Sequence, residues 1–355
     1  MESKMRSSRL GAVVLIACAV MLTANCGYYN RIMSRKSLVD GSTEYKDRKF
    51  AAAEELFRNA AAYDPEGATL EGRTAQLFLA RTLHQRYSAS RADKQFAEQA
   101  IVEYNKVLPP LVKELAEAKT AYDANPSGTA EQKRYLSGLS AVNSSASAIS
   151  SLNDAIEKRD VAKQWQNELA AGEQYPGSAR ARAIVSLGLE NNSCANDITN
   201  NEKVKKTVKK DGKDVFEFVK PEAPEELTKL QKCVADGTKL FDQAFALEND
   251  VVKNAASVDV KGLNDDQLAI LEESISPFES ARSYRASIAV QAARLAEMEG
   301  SPNLAAVKAE AEKRKADSDQ LKKVVAAIKN EKDARVAAAQ AAAEAAASGN
   351  TNTAK

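Results

Sequence analysis

The chain has 355 residues, room for two ordinary domains or one long repeat array. Apolar residues make up 44% of it but aromatics only 6%, which favours helices packed through small side chains and weighs against a β-sandwich. With 50 Lys and Arg against 49 Asp and Glu there is no basic excess of the kind a nucleic-acid surface displays, so nucleic acid is not an expected partner.

Residues 1–25 read as an export signal. Lys4, Arg6 and Arg9 precede an apolar run from Leu10 to Leu22, too short for a membrane-spanning helix and of signal-peptide size. The run ends L-T-A-N-C-G, which resembles a bacterial lipobox. On that resemblance Cys26 is acylated and becomes the first residue of the mature chain. Asn25 before the cysteine and Leu22 one place too far from it depart from the usual pattern; the alternative is an ordinary signal cut after Ala24. Acyl chains on Cys26 would hold the protein on a membrane, each buried CH₂ contributing about 0.8 kcal/mol. Cys18 leaves with the signal. Export then makes Cys194 and Cys233 a candidate disulfide, worth about 4 kcal/mol by loop closure; two separate buried thiols are the other reading.

The first helix is expected from Tyr28 to Glu44, with Tyr29, Ile32 and Leu38 inward, and the second from Phe50 to Tyr63 after a turn at Lys46–Lys49. Over Gly41–Pro65, Ala53 and Ala60 lie a turn either side of Phe57, giving a small–large–small face, and Pro65 follows where a helix cannot continue. This stretch resembles a tetratricopeptide repeat, in which Gly41 would be the small residue that lets two antiparallel helices approach. Gly67–Tyr87 carries Ala75, Leu77, Phe78, Leu79 and Leu83 on a broad apolar face, and residues 88–93 form a polar loop. Phe96–Leu108 repeats the pattern with Ala100, Tyr104 and Val107. Ala53 to Ala100 spans 47 positions, so an insertion of about a dozen residues near 85–94 separates the repeats from the family period of about 34.

Pro109 and Pro110 are expected to break the helix, with a new one from Leu111 to Tyr122 that ends at N-P-S-G, residues 125–128. Ala130–Gln174 reads as helical, with a break at the Ser/Ala/Asn run Asn143–Ser151. Trp165 is placed on one face with Val161, Ala162 and Leu169. Y-P-G-S-A-R-A-R-A, residues 175–183, resembles the helix-to-helix turn of periplasmic repeat lipoproteins, including the subunit that supports outer-membrane barrel assembly. Ile184–Leu189 closes a helix capped near Asn191. Residues 204–220 read as a β-hairpin turning at Asp211-Gly212. Its lysines suit anionic lipid, an acidic partner, or simply a solvated edge protected from aggregation. Glu225–Asn254 is helical, Gly237 being a candidate repeat turn. Asn264 caps a further helix, Pro277–Met298 follows with Ala281, Tyr284, Ile288, Ala292 and Leu295 on one face, and 300–303 is a turn. Leu304–Ala347 is one long charged helix with sparse apolar positions.

The expected fold class is thus all-α: a degenerate array of repeat-like helix pairs over 26–190 and 234–300, a hairpin-containing insertion at 191–233, a long charged helix at 301–347, and a disordered tail at 348–355. His84, the sole histidine, reads as a packing residue, and no sequence spacing marks a catalytic site, metal or cofactor. Neither enzymatic activity nor a small-molecule substrate is expected. The resemblance implies protein–protein interaction in assembling or maintaining a cell-envelope complex, at the outer membrane facing the periplasm. The concave face of such an array would present Tyr45, Arg48 and Arg73. The runner-up is a structural envelope protein that self-associates or meets the cell wall through its C-terminal helix.

Overall fold

The computed structural model describes residues 28–349, and side chains as far as 345. The signal, Cys26 and most of the expected tail lie outside the described residues. The chain divides into two compact units, one holding residues up to 114 and 148–159, the other 115–147 and everything from 160 onward. The described chain is helical but for one two-stranded hairpin, which makes the fold all-α with a β-hairpin and a long C-terminal helix.

In the first unit α1 (residues 28–46), α2 (Phe50–Ala62), α3 (Leu70–Ala89) and the start of α4 (Lys94–Ala124) follow one another as antiparallel neighbours, joined by the end of α5 (Thr129–Ala155). Gly41 is where α1 and α2 meet: a Cβ there would lie 2.8 and 2.9 Å from the Phe57 ring. About two turns earlier, the Ser34 hydroxyl donates to the Ala60 carbonyl at 3.0 Å. Both contacts require small residues, and Ala53, Phe57 and Ala60 are fully buried behind them. Arg48 closes the α1–α2 turn in the left-handed region, with φ +60°. Asp64 ties down the α2–α3 loop, accepting from the Thr69 amide and hydroxyl at 2.7 Å each, while Thr69 caps α3 by accepting from the Gly72 amide. The inward positions expected for α1 are corrected. Tyr29 and Ile32 are exposed because the buried face of the helix centres on Ser34 and Gly41, on the other side.

Helix α4 runs unbroken through Pro109 and Pro110, contrary to the expected break. Two prolines remove two amide donors and cost several kcal/mol together. Val107, Leu108 and Leu111 around them are nearly fully buried, and the residues whose carbonyls lose a partner, Asn105 and Lys106, are exposed to water. The expected break at Asn143–Ser151 is also absent: α5 continues to Ala155, and the turn after it carries Glu157 at φ +68°. Weak propensity yields there to burial, since side chains so small leave no room for solvent. In the second unit the Asn143 amide donates to Glu273 at 3.0 Å, its oxygen accepts from the Ser178 hydroxyl, and the Trp165 indole donates to the Ala146 carbonyl.

The rest of the second unit comprises α6 (Arg159–Ala171), α7 (Gly177–Thr199), β1 (Lys205–Lys210), β2 (Lys213–Phe218), α8 (Pro224–Ala246), the short α9 (Asp250–Lys253), α10 (Asp265–Glu299) and α11 (Leu304–Gly349). On α6, Ala162 and Leu169 are buried and Trp165 half-buried, but Val161 points to solvent. The expected turn at 175–183 is shorter and earlier, at 172–176, because α7 already begins at Gly177; α7 also passes Asn191 and continues to Thr199, so Cys194 sits inside a helix. Cys194 and Cys233 are disulfide-bonded, Cα atoms 6.2 Å apart, and staple α7 to α8 below the hairpin. Gly237 is no turn: it lies inside α8, where a Cβ would come within 3.1 Å of Ile288. Helix α10 starts with the Asn264–Gln267 capping box and runs through Pro277, held by the buried Ile275 and Phe278 on either side. It ends on Gly300 at φ +66°. Helix α11 returns antiparallel along it, burying Leu321, Val324 and Ile328 against Leu268, Leu271 and Ile275. Beyond Arg335, which pairs with Asp265 at 2.8 Å, every α11 residue from 336 to 345 is exposed.

Candidate functional site

In the first unit, α1, α3 and α4 bring together a row of buried and half-buried rings and one cation. Tyr45 near the end of α1 meets Phe50, Phe57 and Phe78 edge-on, with centroids 5.4, 6.4 and 5.8 Å away. Phe78 is stacked on the buried Phe57 at 5.3 Å, which fixes its orientation. One turn on, the Arg81 guanidinium lies 5.8 Å from the Phe78 centroid, and one turn further His84 meets Tyr104 of α4 edge-on, its Nδ1 3.5 Å from the Tyr104 hydroxyl. Phe78, Arg81 and His84 recur every three residues, so they climb one flank of α3 while Ala75, Leu79 and Leu83 bury the other.

Burial sets the electrostatics of this row. It pushes the Tyr45 and Tyr104 phenols up from their ordinary value, against the opposing pull of Arg81, and it holds the His84 imidazole below its ordinary value. All three are neutral at pH 7, which leaves Arg81 the charged group of the row. Rings presenting faces and edges in this way can seat an apolar or aromatic side chain.

The residues singled out from sequence are placed as follows. Gly41, Ala53, Phe57, Ala60, Ala100 and Tyr104 are buried and serve packing, while Pro65 is exposed in the α2–α3 loop and offers its carbonyl to the Gln76 amide at 2.6 Å. Tyr45 belongs to the ring row. Arg48 is exposed at a turn. Arg73 is not an open group: it is ion-paired to Glu114 at 2.9 Å and donates to the carbonyls of Gly67 and Ala68. Arg81, which sequence reading passed over, lies near the Phe78 ring; the available signal was the three-residue spacing of Phe78, Arg81 and His84.

The hairpin is the second place with a distinctive surface. Asp211 and Gly212 have φ +50° and +76°, the two-residue turn expected, and pairing runs from Lys205↔Phe218 to Lys210↔Lys213. Phe218 packs on the core of the second unit beneath the Arg294 guanidinium, at 4.7 Å. Phe216 is exposed under the Lys205 ammonium at 3.9 Å. Lys210 pairs with Glu217 and Lys203 with Glu222, so part of the positive charge is answered locally.

Among the described residues no three His, Cys, Asp or Glu side chains are grouped to hold a metal ion, and no described helix is long and apolar enough to cross a membrane. No protein-family model matches the chain, and no curated protein matches it.

Proposed function

We propose that this is an exported, lipid-anchored helical scaffold, similar to tetratricopeptide-repeat lipoproteins, that binds a protein partner in assembling or maintaining a cell-envelope complex. The observation that carries the reading is the Tyr45–Phe78–Arg81–His84 row: half-buried rings, Tyr45 and Phe78 packed on Phe57, with a cation beside them, on the two helices that would line the concave side of such an array. Anchorage through Cys26 rests on the L-T-A-N-C-G sequence. The protein is not an enzyme in this reading. Its work is to hold one chain against another at the membrane.

Crosslinking and pull-down from native membranes tests it, comparing the wild type with Arg81→Glu and Cys26→Ala. One dominant partner, lost with Arg81→Glu while the helical circular dichroism is unchanged, supports the row as the binding face; an identical partner set in Arg81→Glu refutes it. Membrane association that survives Cys26→Ala refutes the anchor. The exposed run of α11 from 336 to 345 favours a second reading, self-association. A concentration-dependent mass that is abolished by ending the chain at 335 would support that reading.

A further inference from the structure

Helix α1 buries one face and leaves the opposite one uncovered. At 3.6 residues per turn Tyr28, Ile32, Arg35 and Val39 fall within about 60° of one another, and Ser34 and Gly41, which enter the core, fall on the far side. Tyr28 is 70% exposed, Ile32 48% and Val39 57%, with Tyr29 and Arg31 at the margins of the stripe. Exposed apolar residues cluster in this way on no other described helix of the first unit. The charge is one-sided too: Arg31, Arg35 and Lys36 occupy these first three turns, and no carboxylate of α1 precedes Asp40. Arg31 reaches Glu71 at 3.1 Å, whereas Arg35 and Lys36 form no ion pair among the described residues.

We infer that this face of α1 lies flat on a bilayer that carries anionic lipid. The inference rests on the anchored reading above. Cys26 stands two residues before Tyr28, and two residues reach at most about 7 Å, so a chain held at Cys26 starts α1 at the headgroups. Tyrosines suit that depth because the ring is apolar and the hydroxyl stays wet. Ile32 and Val39 enter the acyl boundary between them, while Arg31, Arg35 and Lys36 reach phosphates from the sides of the stripe. A second copy of the chain is the weaker occupant, since a two-fold contact would set these cations against their own copies with no carboxylate among them. A flat α1 sets the tilt of the first unit on the membrane, and with it the direction in which the partner-binding row faces.

Val39 is the deciding position. It lies eleven residues from Tyr28, about 16 Å along the axis, so an upright α1 lifts it clear of the surface and a flat one keeps it there. The full chain, carrying an environment-sensitive fluorophore on Ile32→Cys, Val39→Cys or, for reference, exposed Gln85→Cys, is reconstituted in phosphatidylcholine–phosphatidylglycerol vesicles containing a headgroup-nitroxide lipid. We expect the labels at 32 and 39 to be quenched alike, several-fold more than the label at 85. With Arg35→Glu and Lys36→Glu together, surface binding read at 39 falls more than tenfold, each cation being worth roughly a factor of five. Quenching at 32 without quenching at 39 overturns the inference, as does shielding at 39 that needs no lipid and comes with crosslinks between copies. Failure of the anchor shows separately, as a Cys26 thiol found unmodified by mass spectrometry. In that case the chain is added to preformed vesicles, and binding insensitive to the Arg35 and Lys36 reversals overturns the inference.

Discussion

Replacing Gly188 by alanine sets two effects of opposite sign against each other. Gly188 lies inside α7, where alanine would gain about 0.5–1 kcal/mol of helix stability on backbone grounds alone. The new Cβ, however, would sit 2.5, 2.7 and 3.2 Å from three carbons of the Phe241 ring, against an ordinary carbon–carbon contact of about 3.5–4.0 Å. The ring must therefore withdraw by roughly 1 Å. Phe241 is fully buried and stacked on Tyr284 at 5.9 Å, so the displacement spreads into a filled core, where overpacking costs about 1–3 kcal/mol. The steric effect wins, and Gly188→Ala should lose about 1–2 kcal/mol net. Urea unfolding followed by fluorescence reads this directly, because Trp165, the single tryptophan, belongs to the same unit and is held by the Ala146 carbonyl. We expect a lower midpoint at unchanged slope. In a Phe241→Leu background the clash disappears and the same substitution becomes neutral or stabilising. A coupling energy below about 0.5 kcal/mol in that double-mutant cycle, or a stabilised Gly188→Ala single variant, would refute the reasoning.

The other predictions concern charge, the disulfide and pH. Glu248→Ala strips the buried Arg282 guanidinium of two bonds of 2.7 Å and should cost about 3–5 kcal/mol by urea titration, while Glu248→Leu with Arg282→Met recovers most of the loss. Replacing Cys194 and Cys233 by serine removes a crosslink spanning 39 residues and should cost about 4 kcal/mol, with faster amide exchange over 205–218 as its local signature. Burial holds His84 below the ordinary value of 6.5, so as the pH falls through 6.5 the unfolded chain takes up a proton that the folded chain refuses. Stability should therefore be full above pH 6.5, decline below it, and level off once the folded imidazole titrates. Thermal melts of His84→Gln should lack that slope, and an identical slope in the variant would rule His84 out as its source.

Much of the chain's local order was legible because short-range chemistry dictates it. Asp211-Gly212 makes a turn that needs positive φ at both positions, Asn264 caps a helix through its own side chain, and Gly300 ends one; each effect spans four residues or fewer. Gly41 and the Ala53–Phe57–Ala60 pattern likewise announce one close helix contact. The pairing of Cys194 with Cys233 was legible on the reading that Cys18 belongs to an export signal and Cys26 to an acyl anchor.

What tertiary structure decided is where burial overrules propensity. Pro109, Pro110 and Pro277 should each stop a helix, yet α4 and α10 pass through them because flanking leucines, isoleucine and phenylalanine are held in place by neighbouring helices. The Asn143–Ser151 run stays helical for the same reason, and Gly237 serves contact with Ile288 instead of a turn. The candidate site was hidden likewise. Arg73 lies eight residues before Arg81 on the same helix, and only the position of Glu114 on α4 commits it to an ion pair. The two faces of α1 carry similar apolar content, so periodicity alone could not tell which enters the core. The small residues Ser34 and Gly41 settle it, because only that side lets α2 come close enough to bury Phe57.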